Sequence, residues 1–149
     1  MEAYPDFKEL LASFNTRRVD YVIVGGYALA LHGAPRVTGD LDLYVRPGQD
    51  NAERIIAALA DFGFASLGLS AGDFTEPRRT VQLGVPPARV DIVTSIDGVS
   101  WDEVDAGKAR GHYGEVPVCF IGREELIANK KAVGRQKDKA DIEALGEKA

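Results

Sequence analysis

Short apolar runs alternate with amphipathic segments along this chain, and their spacing predicts a mixture of helices and strands. Apolar residues recur at helical spacing in PDFKELLASF and DNAERIIAALADFGF, and helices are also predicted for REELIANKKAVG and KDKADIEALGEK. Runs rich in β-branched residues predict strands at DYVIV, DLDLYV, TVQLGV, ARVDIVTSI and PVCFIG. This order predicts an α/β or α+β fold, a mixed β-sheet with helices packed on it.

Local turn and cap signals predict how these elements begin, end and pair. Asp50 is expected to cap the long helix over residues 50–64, and Gly63 to stop it. A Pro86-Pro87 turn joins TVQLGV to ARVDIVTSI, so these two runs are expected to pair antiparallel. The polar segment IDGVSWDEVDAGKARGHYG, residues 96–114, is expected to be a loop.

Composition limits the class of protein. With 149 residues, 45% hydrophobic and 28% charged, the chain is expected to form a single globular domain, and no apolar run is long enough for a membrane span. Its one cysteine, Cys119, excludes an internal disulfide and favours a reducing compartment, so we expect a cytoplasmic protein. The net charge of −5 argues against broad nucleic-acid binding without excluding a local basic patch.

Two aspartates interrupt the apolar strand DLDLYV. Side chains alternate across a strand, so Asp40 and Asp42 share one face while Leu41 and Leu43 take the other. A third carboxylate, Asp91 in RVDIV, projects from a later strand, and all three would converge if the two strands are neighbours. Such carboxylates suit Mg²⁺, with Mn²⁺ as a second choice, and three of them suit a two-metal site. Alone, however, an acidic pair is as typical of a solvated strand face.

A glycine pair precedes these aspartates in VIVGGYALALHG, where a strand is followed by a short helix. Glycines at a strand end let a phosphate approach the backbone, although a tight strand-to-helix turn explains the same pattern. Arg36, Thr38 and Lys130 are further candidates for nucleotide contacts. For Arg36 the alternative is a structural salt bridge, for Thr38 an ordinary strand position, and for Lys130 a solvated side chain.

Taken together, these motifs resemble the DNA-polymerase-β-type nucleotidyltransferase superfamily. Gly25-Gly26, thirteen intervening residues and DLDL at 40–43 follow its signature of a glycine turn, a short helix and an acidic strand. VIVGGYALALHGAPRVTGDLDLYV is similar, more narrowly, to small bacterial nucleotidyltransferase-like proteins related to the abortive-infection toxins of type IV toxin–antitoxin systems. The resemblance implies one nucleotidyltransferase-like domain over residues 1–149, with a core at about 19–121 and a C-terminal helical segment at 122–149.

The resemblance also implies an activity and its residues. Asp40, Asp42 and Asp91 would hold Mg²⁺ and act catalytically, and the backbone of Gly25 and Gly26 would cradle the phosphates of a nucleoside triphosphate. A nucleoside monophosphate would pass to an acceptor hydroxyl on RNA, protein or a small molecule. The sequence departs from many superfamily members in one respect. Those members place Ser after the first glycine, whereas here the sequence is Gly25-Gly26-Tyr27.

The acceptor and the partners are less constrained by the sequence. Residues 123–139 carry six Lys or Arg against three Asp or Glu, which suits tRNA or equally a solvated helix end. A Mg²⁺-dependent nucleotidyltransferase is the leading expectation, with a toxin-type enzyme as one form of it and an antitoxin or a second copy of the chain as a partner. The alternatives are a non-catalytic module acting through protein contacts in a toxin–antitoxin system, and a metal-dependent phosphohydrolase.

Overall fold

The structure, a computed structural model, describes residues 4–34, 39–64, 67–84 and 89–149. The helices are α1 (Pro5–Thr16), α2 (Gly25–Leu31), α3 (Gln49–Phe62), α4 (Trp101–Gly107), α5 (Arg123–Val133) and α6 (Gln136–Ala144). The strands are β1 (Tyr21–Val24), β2 (Leu41–Val45), β3 (Thr80–Leu83), β4 (Val90–Val93), β5 (Ala109–Tyr113) and β6 (Val116–Phe120). Within these ranges, no helix is long and apolar enough to cross a bilayer.

The strands form one mixed sheet in the order β3-β4-β2-β1-β6-β5. β1 runs antiparallel to β2 and parallel to β6, and β2 runs parallel to β4. β3 and β4 form an antiparallel pair, as do β5 and β6. The predicted mixed sheet is therefore confirmed, including the antiparallel pairing of TVQLGV with ARVDIVTSI.

Helices cover both faces of this sheet. On one face, Phe14 of α1 packs edge-on against Tyr21 of β1, with ring centroids 5.5 Å apart. On the other, Trp101 of α4 packs edge-on against Tyr44 of β2 at 5.1 Å. Because side chains alternate along a strand, Asp42 points to the same face as Tyr44. The α4 side of the sheet is therefore the side that carries the aspartates.

The segment at residues 96–114 is not the loop that its polarity predicts, since it forms α4 and β5. Ser100 and Glu103 close a capping box at the start of α4, with each side chain bound to the other residue's backbone N–H. β5 alternates exposed and less exposed residues because it lies at the edge of the sheet. Gly111 within it lies against the ring of Phe120 in β6.

The ends of α3 show one wrong and one correct expectation. Asp50 does not cap this helix; Gly48 precedes the first turn, and Asp50 lies within that turn, where its charge favours the helix dipole. Gly63 does end α3, in the left-handed conformation with φ of 106°. Asn51, fully buried, ties the start of α3 to β1 by accepting a hydrogen bond from the Asp20 N–H at 2.7 Å.

Candidate active site

Two neighbouring parallel strands bring the three predicted carboxylates together. Asp42 in β2 and Asp91 in β4 are direct partners in the strand register, and Asp40 lies one residue before β2 begins. The alternation of side chains puts all three on the α4 side of the sheet. Their strands are neighbours, which is the condition on which the convergence of the three side chains depended. We call Asp40, Asp42 and Asp91 the carboxylate cluster.

The glycine pair borders this cluster through the antiparallel pairing of β1 with β2. Val24, the last residue of β1, is the partner of Asp42, so Gly25 follows directly at the carboxylate. Gly25 has a φ of +69°, and a Cβ atom at this position would overlap the Asp42 side chain. Only glycine combines that conformation with so close an approach. Gly25 and Gly26 lie inside the first turn of α2 rather than before it.

The carboxylate cluster is electrostatically unfavourable for Asp42. Burial raises the pKa of Asp42 to about 6, with further upward contributions from the Asp91 and Asp40 charges. Two cations, Arg89 and Lys137, oppose this shift. The folded protein thus holds a carboxylate that would gain from additional positive charge nearby.

Arg89 was not identified from the sequence, yet it forms the closest described cation contact with the carboxylate cluster. Its Nε and Nη2 donate to the two carboxylate oxygens of Asp91 at 3.1 and 2.8 Å, and its Nε lies 3.9 Å from an Asp40 oxygen. The alternation R-V-D, which places Arg89 and Asp91 on one strand face, is the signal that could have found it.

Lys130 lies in a separate set of ion pairs between α5 and α6. Its Nζ lies 2.9 Å from an Asp141 oxygen and 3.4 Å from an Asp138 oxygen, and the residue is 8% exposed. Arg135 also donates to Asp138, at 2.7 Å. We call Lys130, Arg135, Asp138 and Asp141 the helix cluster. A phosphate contact by Lys130 would require its ammonium to leave both carboxylates.

Lys137, beside Asp138 on α6, is exposed, and its charge lowers the pKa of Asp42. It is thus the lysine of the C-terminal helices whose field reaches the carboxylate cluster. The two other predicted contacts, Arg36 and Thr38, lie outside the described residues. His32, directly after α2, donates from Nε2 to the Ile121 carbonyl oxygen at 2.7 Å.

The carboxylate cluster has the right chemistry for a divalent metal but is not arranged as a finished site. Across residues 4–34, 39–64, 67–84 and 89–149, no three His, Cys, Asp or Glu side chains are placed so that they could hold a metal ion. The donor set nevertheless fits Mg²⁺, since it consists of carboxylate oxygens on one face. A bound divalent cation would stabilise the ionised form of Asp42 and so lower its raised pKa.

Comparisons with known proteins agree with this geometry. Residues 6–111, most of the chain, match the sequence model of the aminoglycoside-2''-adenylyltransferase family. No curated protein sequence matches the chain.

Among solved structures, a candidate nucleotidyltransferase from Thermotoga maritima aligns with a TM-score of 0.59 at 14% identity, over 92% of this chain and 88% of the other. The lincosamide antibiotic adenylyltransferase LnuA, solved with lincomycin bound, has a TM-score of 0.56 at 13% identity over 98% of both chains. An antigenic nucleotidyltransferase-like protein from Paracoccidioides brasiliensis has a TM-score of 0.54 at 18% identity, over 96% and 75%. At such low identity these structures show the shared fold.

The predicted nucleotidyltransferase fold and enzyme class are thereby confirmed. The narrower link to abortive-infection toxins stays a prediction.

Proposed function

The chain belongs to the aminoglycoside-2''-adenylyltransferase family, and we propose that it is a Mg²⁺-dependent enzyme that transfers AMP from ATP to a hydroxyl of a small acceptor molecule. The family description supports both the adenylyl group and an aminoglycoside-like acceptor. LnuA, which shares the fold, is an adenylyltransferase solved with an antibiotic bound. Aminoglycosides and lincosamides are therefore the first acceptors to test.

The observation that carries this proposal is the pairing of Asp42 with Asp91 across two parallel strands, with Asp40 one residue before β2. That register gathers three carboxylates on one face of the sheet, which supports a metal site there. Gly25 brings the backbone of α2 against the same carboxylate. A solvated acidic strand face would not require this close approach.

Asp40, Asp42 and Asp91 would hold Mg²⁺, or Mn²⁺ in its place, in a two-metal site. The bound metal would neutralise charge on the triphosphate and lower the pKa of the acceptor hydroxyl. In the reaction, the acceptor oxygen would bond to the α-phosphorus as the bond to the leaving pyrophosphate breaks, and the hydroxyl proton would be released to solvent. We assign Asp91 to polarise the acceptor hydroxyl and Asp40 and Asp42 to fix the metal ligands.

The phosphates are assigned to the glycine side of the site. Gly25 lies against Asp42, and the backbone of Gly25 and Gly26 would accept close approach by the triphosphate. Arg36 and Thr38 keep their predicted phosphate roles as part of this proposal. Lys137 replaces Lys130 as the lysine assigned to the phosphates, because Lys130 is buried in the helix cluster.

The direct test is a reaction of the purified protein with each of the four NTPs, Mg²⁺ and a panel of aminoglycosides and lincosamides. We expect pyrophosphate release from ATP and an acceptor whose mass has increased by one AMP. Asp42→Asn should abolish both signals, whereas Asp61→Asn, an exposed aspartate paired with Arg17, should retain them. Release of inorganic phosphate instead of pyrophosphate would contradict transfer and support a phosphohydrolase.

The toxin-type role is kept as a second hypothesis, with a tRNA or protein acceptor and an antitoxin or a second copy of the chain as partner. It belongs in the cytoplasm, a location that the single Cys119 fits. Incubation with labelled ATP and total cell extract tests it, because a toxin-type enzyme would label a macromolecule. A non-catalytic module would label nothing, and its cellular effect would survive Asp42→Ala.

A further inference from the structure

The position of Arg89 in the site is fixed by backbone hydrogen bonding. The Leu41 N–H donates to the Arg89 carbonyl oxygen at 3.0 Å, which joins the start of β2 to the residue before β4. Asp91 follows two residues later, so the Arg89 and Asp91 side chains lie on one face of the sheet. This is also the face of Asp40 and Asp42. Arg89 therefore cannot leave the site without a change in the sheet, although its side chain can turn.

The guanidinium of Arg89 binds the atoms that a metal would need. Both oxygens of Asp91 accept hydrogen bonds from Arg89, and Asp40 has an oxygen 3.9 Å from its Nε. The side chain of Asp91 is 15% exposed, while that of Arg89 is 34% exposed. The arginine is thus the more exposed of the two side chains.

We propose that Arg89 competes with the metal for Asp91, and that it turns from this carboxylate to the triphosphate when the metal and ATP bind. This inference rests on the proposed function. A guanidinium and a divalent cation beside one carboxylate repel each other, so binding of either weakens binding of the other. A planar guanidinium that donates to both oxygens of a carboxylate is also suited to bind a phosphate. The Arg89 guanidinium would therefore exchange Asp91 for a phosphate nearby.

This exchange would link metal binding to nucleotide binding. Without ATP, the metal must displace Arg89 from Asp91, and the other carboxylates near the guanidinium, Asp40 and Asp42, are themselves proposed metal ligands. With ATP present, the phosphates offer another anion, and the same displacement becomes easier. Arg89 would therefore lower the affinity for metal alone and favour binding of the metal together with the nucleotide.

The test is Mn²⁺ binding to the full chain, measured by the electron paramagnetic resonance signal of free Mn²⁺ without nucleotide. Arg89→Gln removes the charge, and Arg89→Lys keeps the charge but loses the planar guanidinium. Arg17→Gln is a matched control, because Arg17, directly after α1, makes the same two-point contact with Asp61 of α3, at 2.6 and 2.9 Å. We expect Arg89→Gln to bind Mn²⁺ about tenfold more tightly than wild type. Arg89→Lys should give a smaller gain, and Arg17→Gln none.

The nucleotide arm of the test uses ATP binding in saturating Mn²⁺. Here Arg89→Gln should bind ATP several-fold more weakly than wild type, so that the two effects have opposite signs. Mn²⁺ binding that is unchanged or weaker in a folded Arg89→Gln would overturn the competition while leaving the proposed function intact. If wild type bound Mn²⁺ neither alone nor together with ATP, the competition and the proposed function would both be overturned.

Discussion

The carboxylate cluster and the helix cluster both contain aspartates but differ in how the charges of those aspartates are satisfied. In the helix cluster, Asp138 is 1% exposed, and hydrogen bonds from Arg135, with the charge of Lys130, lower its pKa to about 2. In the carboxylate cluster, burial and neighbouring carboxylates raise the pKa of Asp42 to about 6. The helix cluster stabilises the negative charge of its aspartate, whereas the carboxylate cluster holds several negative charges close together.

This difference separates a structural role from a functional one. A buried carboxylate that already has cationic partners has little to gain from a ligand, and its loss would leave Lys130 with one fewer partner. A carboxylate held among others at a raised pKa gains directly from a bound cation. The same contrast explains why Lys130, although adjacent in sequence to other basic residues, is a poor candidate for phosphate binding, and why Lys137 is a better one.

The strongest test of this contrast is Asp42→Asn. Replacing a residue that supports a metal ligand costs about 10- to 100-fold in activity or metal affinity, so loss of a proposed ligand should cost more than about 100-fold. We expect that loss in the rate of AMP transfer, together with loss of Mn²⁺ binding, in a protein that still folds. Asp61→Asn should change neither quantity. Retained transfer in Asp42→Asn would remove Asp42 from the site.

The complementary change is Asp138→Ala in the helix cluster. Breaking a buried ion pair by removing one partner costs about 3–5 kcal/mol, and here Lys130 and Arg135 both lose an acceptor. Urea denaturation should show a loss in that range, with Mn²⁺ affinity retained. Asp105→Ala, which breaks the exposed pair with Lys108, should cost less than about 1 kcal/mol. Equal losses in the two variants would contradict a structural role for the helix cluster.

The sequence predicted the parts of the site that depend on local patterns. Alternation along one strand was enough to place Asp40 and Asp42 on a common face, and the apolar runs were enough to predict five of the strands. The pairing of Arg89 with Asp91 follows a local alternation that could have been used, but its position beside Asp40 depends on the register of β4 against β2. Register between strands is set by tertiary packing, which a single sequence does not specify.

Two further misses have similar causes. Lys130 lies in ion pairs with Asp138 and Asp141, whereas the charge of Lys137 acts on Asp42, and this division depends on how α5 and α6 pack rather than on local sequence. β5 was hidden because an edge strand needs few apolar residues, and Gly111 leaves space for the Phe120 ring where a larger side chain would be expected. The capping box at Ser100 and Glu103 was a local signal that could have been used.

The raised pKa of Asp42 predicts a stability difference in metal-free protein. Folding raises this pKa from about 4 towards 6, so the folded state binds the proton more tightly, and stability falls as pH rises through this window. Above the window, ionised Asp42 destabilises the fold by about 1–3 kcal/mol. Asp42→Asn cannot ionise. We therefore expect it to be more stable than wild type at pH 8 in EDTA, and close to wild type at pH 4.

Urea denaturation across that pH range measures this difference, and added Mg²⁺ should then stabilise wild type but not the variant. The helix cluster should show the opposite pH dependence, since the lowered pKa of Asp138 stabilises the fold above about pH 4 and that contribution is lost as pH falls towards 2. If wild type were more stable than Asp42→Asn at pH 8 in EDTA, ionised Asp42 would not destabilise the fold, and this prediction would be wrong.

The smallest expected effect distinguishes the two lysines. Lys137 is exposed, so its charge acts through solvent, and Lys137→Gln should raise the KM for ATP about two- to fivefold with no loss of stability. The effect should shrink at high salt, because exposed charges are screened. Lys139→Gln, also exposed on α6, is the matched control and should leave KM unchanged. Lys130→Gln should instead lower the free energy of unfolding, because it leaves Asp138 and Asp141 without its ammonium. If Lys130→Gln raised KM while leaving stability intact, the assignments of these two lysines would have to be exchanged.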